Sequence, residues 1–236
     1  LRGMDVTVIH LADWLLEQGE PWGEVIGAAA RGAPDSKKEE ATSEDLLGEV
    51  EEADLSWSHG VIESFWLAPL QANAESPMHV VLERVLKHPA GHFVSSLDLG
   101  LPPDGEWHLE ALVAAIAAAG PLPLLETLDM SAPSEHMDQE SWRWVGDIHG
   151  LWAAAPNLKV LKLRGSGRDS QSIRLAPIVA PALETLIIYS GGLDQAAPVE
   201  LGAAKLPSLN HLELLFGSPD YGNTCTMASL EGLLAG

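Results

Sequence analysis

Nine histidines and one cysteine are the residues of this chain with the widest chemical reach. His88 and His92 stand four positions apart, a spacing at which two imidazoles on one helix face can hold zinc. Pro89 and Gly91 lie between them, so the segment reads as a turn and the rings do not line up. His79 and His108 fall in separate stretches, and no Cys/His pairs with zinc-site spacing occur. Cys225 with His211 is the one thiolate–imidazole pair on offer. No motif surrounds either residue, and a lone cysteine is commonly a small apolar packing residue. Arg164-Gly165-Ser166-Gly167 and Ser190-Gly191-Gly192 are glycine-rich. Neither ends in the Lys-Ser/Thr that a phosphate loop requires. No catalytic residue, metal or cofactor is assigned, and the chain is not expected to be an enzyme.

The residues that remain could bind rather than react, and their placement follows from a repeated skeleton, L-x-x-L-x-L. Six copies occur: Ile62, Phe65, Leu67; Val94, Leu97, Leu99; Leu125, Leu128, Met130; Leu158, Leu161, Leu163; Leu183, Leu186, Ile188; Leu209, Leu212, Leu214. Their last residues lie 32, 31, 33, 25 and 26 positions apart. A recurrence of 20–50 residues marks a stacked-repeat architecture. The pattern is similar to a leucine-rich repeat, which implies an α/β solenoid. Parallel strands would line the concave side and helices or turns the convex side, with an extended binding surface.

Side chains alternate across a strand, so the leucines point inward and the residues between them outward. The central outward column reads Trp66, Asp98, Asp129, Lys162, Ile187, Glu213. The column before it is Ser64, Ser96, Thr127, Val160, Thr185, His211; the one after is Ala68, Gly100, Ser131, Arg164, Tyr189, Leu215. An acidic pair is thus followed by a basic pair and then by an apolar patch. Aromatic and aliphatic side chains rimmed by charge are the composition of protein interfaces. The candidate partner-binding residues are Trp66, Asp98, Asp129, Lys162, Arg164, Ile187, Tyr189, Glu213 and Leu215.

Thirty-four acids against 13 basic residues give a net charge of −21. Phosphate contacts need clustered Lys and Arg, so nucleic acid is excluded as a partner. An anionic membrane surface is excluded for the same reason. A basic protein partner drawn in by long-range steering fits the charge; so does plain solubility. No run of 18 apolar residues suits a membrane helix. Leu1-Arg2-Gly3-Met4 opens no secretory signal, and one cysteine allows no intrachain disulfide, so a cytoplasmic location is expected.

Ahead of the array, residues 1–30 read as a helical unit. Val8, Leu11, Ala12, Leu15 and Leu16 share a helix face, Gly19 and Pro21 end that helix, and a second helix runs from Trp22 or Gly23 to Ala30. Ala12, Asp13, Trp14, Leu15, Glu17, Gly19, Pro21, Gly23, Glu24 and Ile26 match the pattern A-D-W-L-x-E-x-G-D-P-x-G-E-x-I. This stretch resembles the small bacterial repeat-companion domain that commonly precedes leucine-rich repeats in myxobacterial and planctomycete proteins. Glu20 and Trp22 depart from it, where Asp and Arg are usual. The resemblance implies bacterial origin and a neighbouring repeat, and carries no activity. Trp14 and Trp22 are expected to pack the two helices together.

Residues 31–54 read as an acidic linker or helix; 35–54 hold nine acids and two lysines, with a helix plausible near 38–52. The array occupies 55–236 and is expected to be truncated at its C-terminal end, since residues 224–236 show no polar cap. Helical faces are expected at Met78, Val81, Leu82, Val85, Leu86; at Leu109, Leu112, Val113, Ile116; and at Trp144, Ile148, Leu151, Trp152. Units of 31–33 residues leave room for a full helix, and those of 25–26 for a short turn. The leading functional expectation is a protein-recognition scaffold, one version being a regulator or inhibitor of a basic partner. The alternative is a targeting module of a larger enzyme or effector whose catalytic domain lies outside this chain.

Overall fold

The computed structural model describes residues 2–50, 52–68, 77–100, 109–131, 144–166 and 172–235, with side chains from residue 8 onward. Leu1, His108, Gly167 and Gly236 lie outside the described residues. The chain forms an open seven-stranded sheet whose strands follow one another in chain order: β1 (Ala53–Ser58), β2 (Val61–Leu67), β3 (Ser96–Leu99), β4 (Thr127–Met130), β5 (Val160–Arg164), β6 (Thr185–Tyr189) and β7 (His211–Leu215). From β2 to β7 every pairing is parallel. Phe65, Leu97, Leu128, Leu161, Leu186 and Leu212 are successive cross-strand partners. The expected register therefore holds through all six triplets.

Strands β4 to β7 are entered in the same way. An i→i+3 backbone turn closes at Leu125, Leu158, Leu183 and Leu209, two residues before its strand. The carbonyls of Ser95, Glu126, Lys159 and Glu184 then each accept two amide hydrogens from the following unit. Asn157 Nδ2 donates to Pro123 O at 2.8 Å, and Ser208 Oγ to Pro181 O at 2.7 Å, tying neighbouring turns together. These contacts satisfy backbone groups that a core made of leucine cannot.

Helices fill the connections on the buried side of the sheet: α4 (Met78–Lys87), α5 (Glu110–Ala118), α6 (Gly150–Ala154), α7 (Ala196–Ala203) and, after β7, α8 (Met227–Leu234). Helix and strand side chains form one core, from Ala12 through Leu201. The 26-residue spacing, where only a short turn was expected, holds the eight-residue α7; among the described residues the 33-residue spacing holds the five-residue α6. The helical face expected at Trp144–Trp152 is only half helical. Trp144 and Asp147 instead bridge to Ser166 and Arg174. Gly146 has φ +67°, and a Cβ there would strike the Glu110 side chain, so a helix cannot run through it.

The helical unit comprises α1 (Arg2–Glu17) and α2 (Trp22–Ala30), with Gly19 at φ +78° ending the first. Trp14 does not join the two helices: it is 55% exposed. Trp22 is buried instead against the sheet. Its Nε1 donates to Gly60 O at 2.7 Å, and its ring meets Trp57 at 5.8 Å and His88 at 4.7 Å. The acidic stretch is the helix α3 (Ser36–Leu47), capped by Asp35, which accepts from Lys38 N at 3.1 Å. Ahead of the six triplets lies an unforeseen strand, β1, beginning at Ala53. It pairs antiparallel with β2 through a two-residue turn at His59 (φ 54°) and Gly60 (φ 75°), the primed turn type that suits strand twist.

Candidate functional site

The leucine side of the sheet is covered by helices, so the opposite side is the face available to a partner. Intermediate or exposed residues alternate with buried ones along β3, β4, β5 and β6. The nine candidate residues all lie on this face. Trp66, Asp98, Asp129, Lys162, Ile187 and Glu213 are consecutive cross-strand partners. Arg164, Tyr189 and Leu215 form the next column.

Strand register turns these columns into contacts. Lys162 Nζ donates to Asp129 Oδ2 at 2.8 Å. The other oxygen of Asp129 accepts from Ser131 N at 2.8 Å and Ser131 Oγ at 2.6 Å. Burial pushes the Asp129 carboxyl up, but the hydrogen bonds from Lys162 and Ser131 outweigh it and hold it below the usual carboxylate value. Hydrogen bonding to Asp129 raises the Lys162 ammonium in turn, against the opposing effect of burial. Arg164 Nε donates to Ser131 O at 2.9 Å, and its guanidinium lies 4.9 Å from the centre of the Tyr189 ring, a cation–π distance.

The ends of the face differ in character. At β2, Trp66 is 41% exposed; at β7, Leu215 is 48% exposed. Asp98, between Trp66 and Asp129, has an oxygen, Oδ1, shut off from solvent with no hydrogen-bond partner. Burial and then the Asp129 charge push its carboxyl up. His211 Nε2 stands 3.7 Å from Glu213 Oε2. Leu212, whose equivalents in earlier strands are fully buried, is 36% exposed because β7 is the sheet edge.

Two of the residues first weighed for chemistry, His88 and Cys225, make structural contacts. His88 Nδ1 accepts from Ala90 N at 3.2 Å at the head of the 3₁₀ turn Pro89–Phe93. Cys225 Sγ donates to Leu193 O at 3.3 Å, and burial, then the Asp194 charge, push the thiol up. A raised thiol is a poor nucleophile. Among the described residues no group of three or more His, Cys, Asp or Glu is placed to hold a metal ion. No helix among them is long and apolar enough to cross a membrane. Glu110, exposed on α5, accepts from Asp147 N at 3.4 Å and lies beside Gly146.

Neither family models nor curated proteins match this chain. One solved structure is similar in fold, a crystal structure of a Bacteroides fragilis protein determined as a structural-genomics target. The likeness has a TM-score of 0.59 at 20% identity and covers 86% of this chain and 57% of that one. This chain thus spans a little over half the length of its structural neighbour. At that identity the likeness concerns the fold alone.

Proposed function

We propose that this chain is a leucine-rich-repeat solenoid of bacterial, cytoplasmic type that recognises a protein partner on the open face of its sheet and performs no catalysis. The observation that carries this reading is the in-register outward column pair of β2–β7, which presents Trp66, Lys162, Arg164, Ile187, Tyr189 and Leu215 on one side of a continuous sheet. The repeated strand-entry turns support the solenoid assignment, as does the resemblance of residues 10–26 to a repeat-companion domain. Arg164 and Tyr189 are already stacked, so little side-chain freedom is lost when a partner covers them. The centre of contact is repeats four to six, with Tyr189 as the aromatic anchor and the Lys162–Asp129 pair as its rim.

Site-specific photocrosslinking in the source cell tests this. A benzophenone amino acid at Ile187 should give one defined protein adduct. The same group at Val199, an exposed residue of α7, should not. Equal adducts from both positions, or adducts from Val199 alone, would move the interface to the helical side.

A further inference from the structure

The two edges of the sheet are finished differently. At β1 the ladder is broken by a register shift at Ser56 and Trp57, and α3 lies against the strand, with Trp57 Nε1 donating to Ser43 Oγ at 2.8 Å. Such devices keep an edge from pairing further. Beyond β7 no strand follows among the described residues, and its sequence, His211-Leu212-Glu213-Leu214-Leu215, holds neither proline nor lysine. His211 N donates to Glu184 O, and Leu215 O accepts from Ser190 N. Peptide groups alternate along a strand, so Leu212 and Leu214 turn their N–H and C=O groups to the open edge.

Side chains continue the same opening. Leu186 is fully buried, whereas Leu212, one strand on, is open to solvent. On α8, Gly232 meets Gly202 of α7. Met227, Leu230 and Leu234 fall on the opposite side of that helix, at i, i+3 and i+7, and Met227 and Leu234 are strongly exposed. A bare extended peptide would cover the strand and leave this stripe open. An occupant that carries a strand and a helix in the same relation covers both. Charge at this end admits a like copy: 205–236 holds three acids and one lysine, against nine acids and two lysines in 35–54.

The strand is also complementary to itself. In an antiparallel pair, edge-facing residues must oppose edge-facing residues. Setting the centre at Glu213 brings two like charges together, which destabilises the pair. Setting it at Leu214 places Glu213 against Leu215, with no donor. Setting it at Leu212 places His211 against Glu213 of the second copy, twice by symmetry. An imidazole N–H then meets a carboxylate in a non-hydrogen-bonded pair, where cross-strand side chains are closest. Within one copy His211 Nε2 and Glu213 Oε2 already stand 3.7 Å apart, so the four groups close a ring.

We infer that two copies of this chain associate through β7 in the register centred on Leu212, joining their sheets edge to edge and setting their α8 helices side by side. The shared edge is short, so the dimer is weak and concentration-dependent, and a dilute solution holds the single copy.

Sedimentation velocity of the full chain from about 1 to 200 μM reads the association. The mass should rise from one copy towards two. Glu213→Lys sets a lysine against His211 and should weaken association about tenfold. Exchanging the pair, His211→Glu with Glu213→His, should restore it to within about threefold, which a misfolded variant would not do. Val199→Glu on α7 should change nothing. Disulfide trapping in a Cys225→Ser background reads the register. His211→Cys and Glu213→Cys chains mixed in equal amounts should give an oxidised dimer, because the two Cα atoms stand about 4.5 Å apart across the junction. That mixed dimer also keeps the other His211–Glu213 pair, so either chain alone should give little. A single copy throughout the range, association indifferent to Glu213→Lys, no recovery in the exchanged chain, or trapping by Glu213→Cys alone at the rate of the mixture would each overturn the inference.

Discussion

Leu161→Ala should destabilise this protein far more than Leu212→Ala, although the two leucines occupy equivalent positions in the same column. Leu161 is fully buried, with Leu128 and Leu186 as its cross-strand partners. Removing three carbons forfeits about 2.4 kcal/mol of transfer free energy at about 0.8 kcal/mol per buried carbon. A cavity closed on both sides by neighbouring strands relaxes little, so the total should be about 3–4 kcal/mol. Leu212 has a strand on one side only and is 36% exposed. Its transfer loss is reduced by about a third, and the edge can settle into the gap and remove most of the cavity term, giving about 1.5–2 kcal/mol. Urea denaturation of both variants measures the difference, with hydrogen exchange to detect separate opening of the last unit. Costs within about 0.5 kcal/mol of each other would mean that Leu161 is not locked between two strands and that the stacked register is wrong.

Trp22→Phe should cost about 1–3 kcal/mol, because it strands the buried Gly60 carbonyl as well as removing a ring contact; thermal unfolding followed by near-UV dichroism reads it. Asp129→Asn should lose about 1–2 kcal/mol at neutral pH, discounted because Lys162 is partly exposed. The folded carboxyl of Asp129 lies below its ordinary value of 3.8. Its contribution is therefore complete above that value and disappears as pH falls through the folded pKa. The variant's stability should lie below the parent's at neutral pH and converge with it in strong acid, as pH-dependent denaturation will show. Asp98 has the opposite sign: its raised carboxyl means that ionisation opposes folding above the ordinary value. Asp98→Asn should then gain about 0.5 kcal/mol at neutral pH; a stability loss above about 1 kcal/mol would contradict the unpartnered state of Oδ1.

The sheet was legible because its pattern has a strict period. One slip of register would turn Leu97, Leu128, Leu161 and Leu186 out to solvent, so a single arrangement buries them all. Given that register, the Asp129–Lys162 and Arg164–Tyr189 contacts follow from adjacent positions in two columns. The strand β1 was missed for want of a leucine triplet. Its signal was the His59-Gly60 pair between two runs containing alternating apolar residues, a two-residue hairpin mark. Helix periodicity also misplaced Trp14 and Trp22. It tells which residues share a face but not what that face meets, and the partner of Trp22 lies 38 residues away at Gly60. The helix expected at Trp144 is interrupted at Gly146, whose φ of +67° a right-handed helix does not use, and Trp144 and Asp147 form isolated bridges instead. The unpartnered oxygen of Asp98 depends on burial by its surroundings, which no residue pattern encodes.

The measurement that bears most directly on the proposed role is partner affinity in a paired comparison of Tyr189→Ala and Val199→Ala, by calorimetry once the photocrosslinked protein is in hand. Tyr189 lies on the open face beside Arg164, and Val199 is 53% exposed on α7. An aromatic anchor buried in an interface costs about 1–3 kcal/mol when truncated, a loss of roughly five- to 150-fold in Kd. The account predicts that loss for Tyr189→Ala and an unchanged Kd for Val199→Ala. Equal affinities for the two variants, both matching the parent, would contradict it and direct attention to the helical unit at residues 2–30.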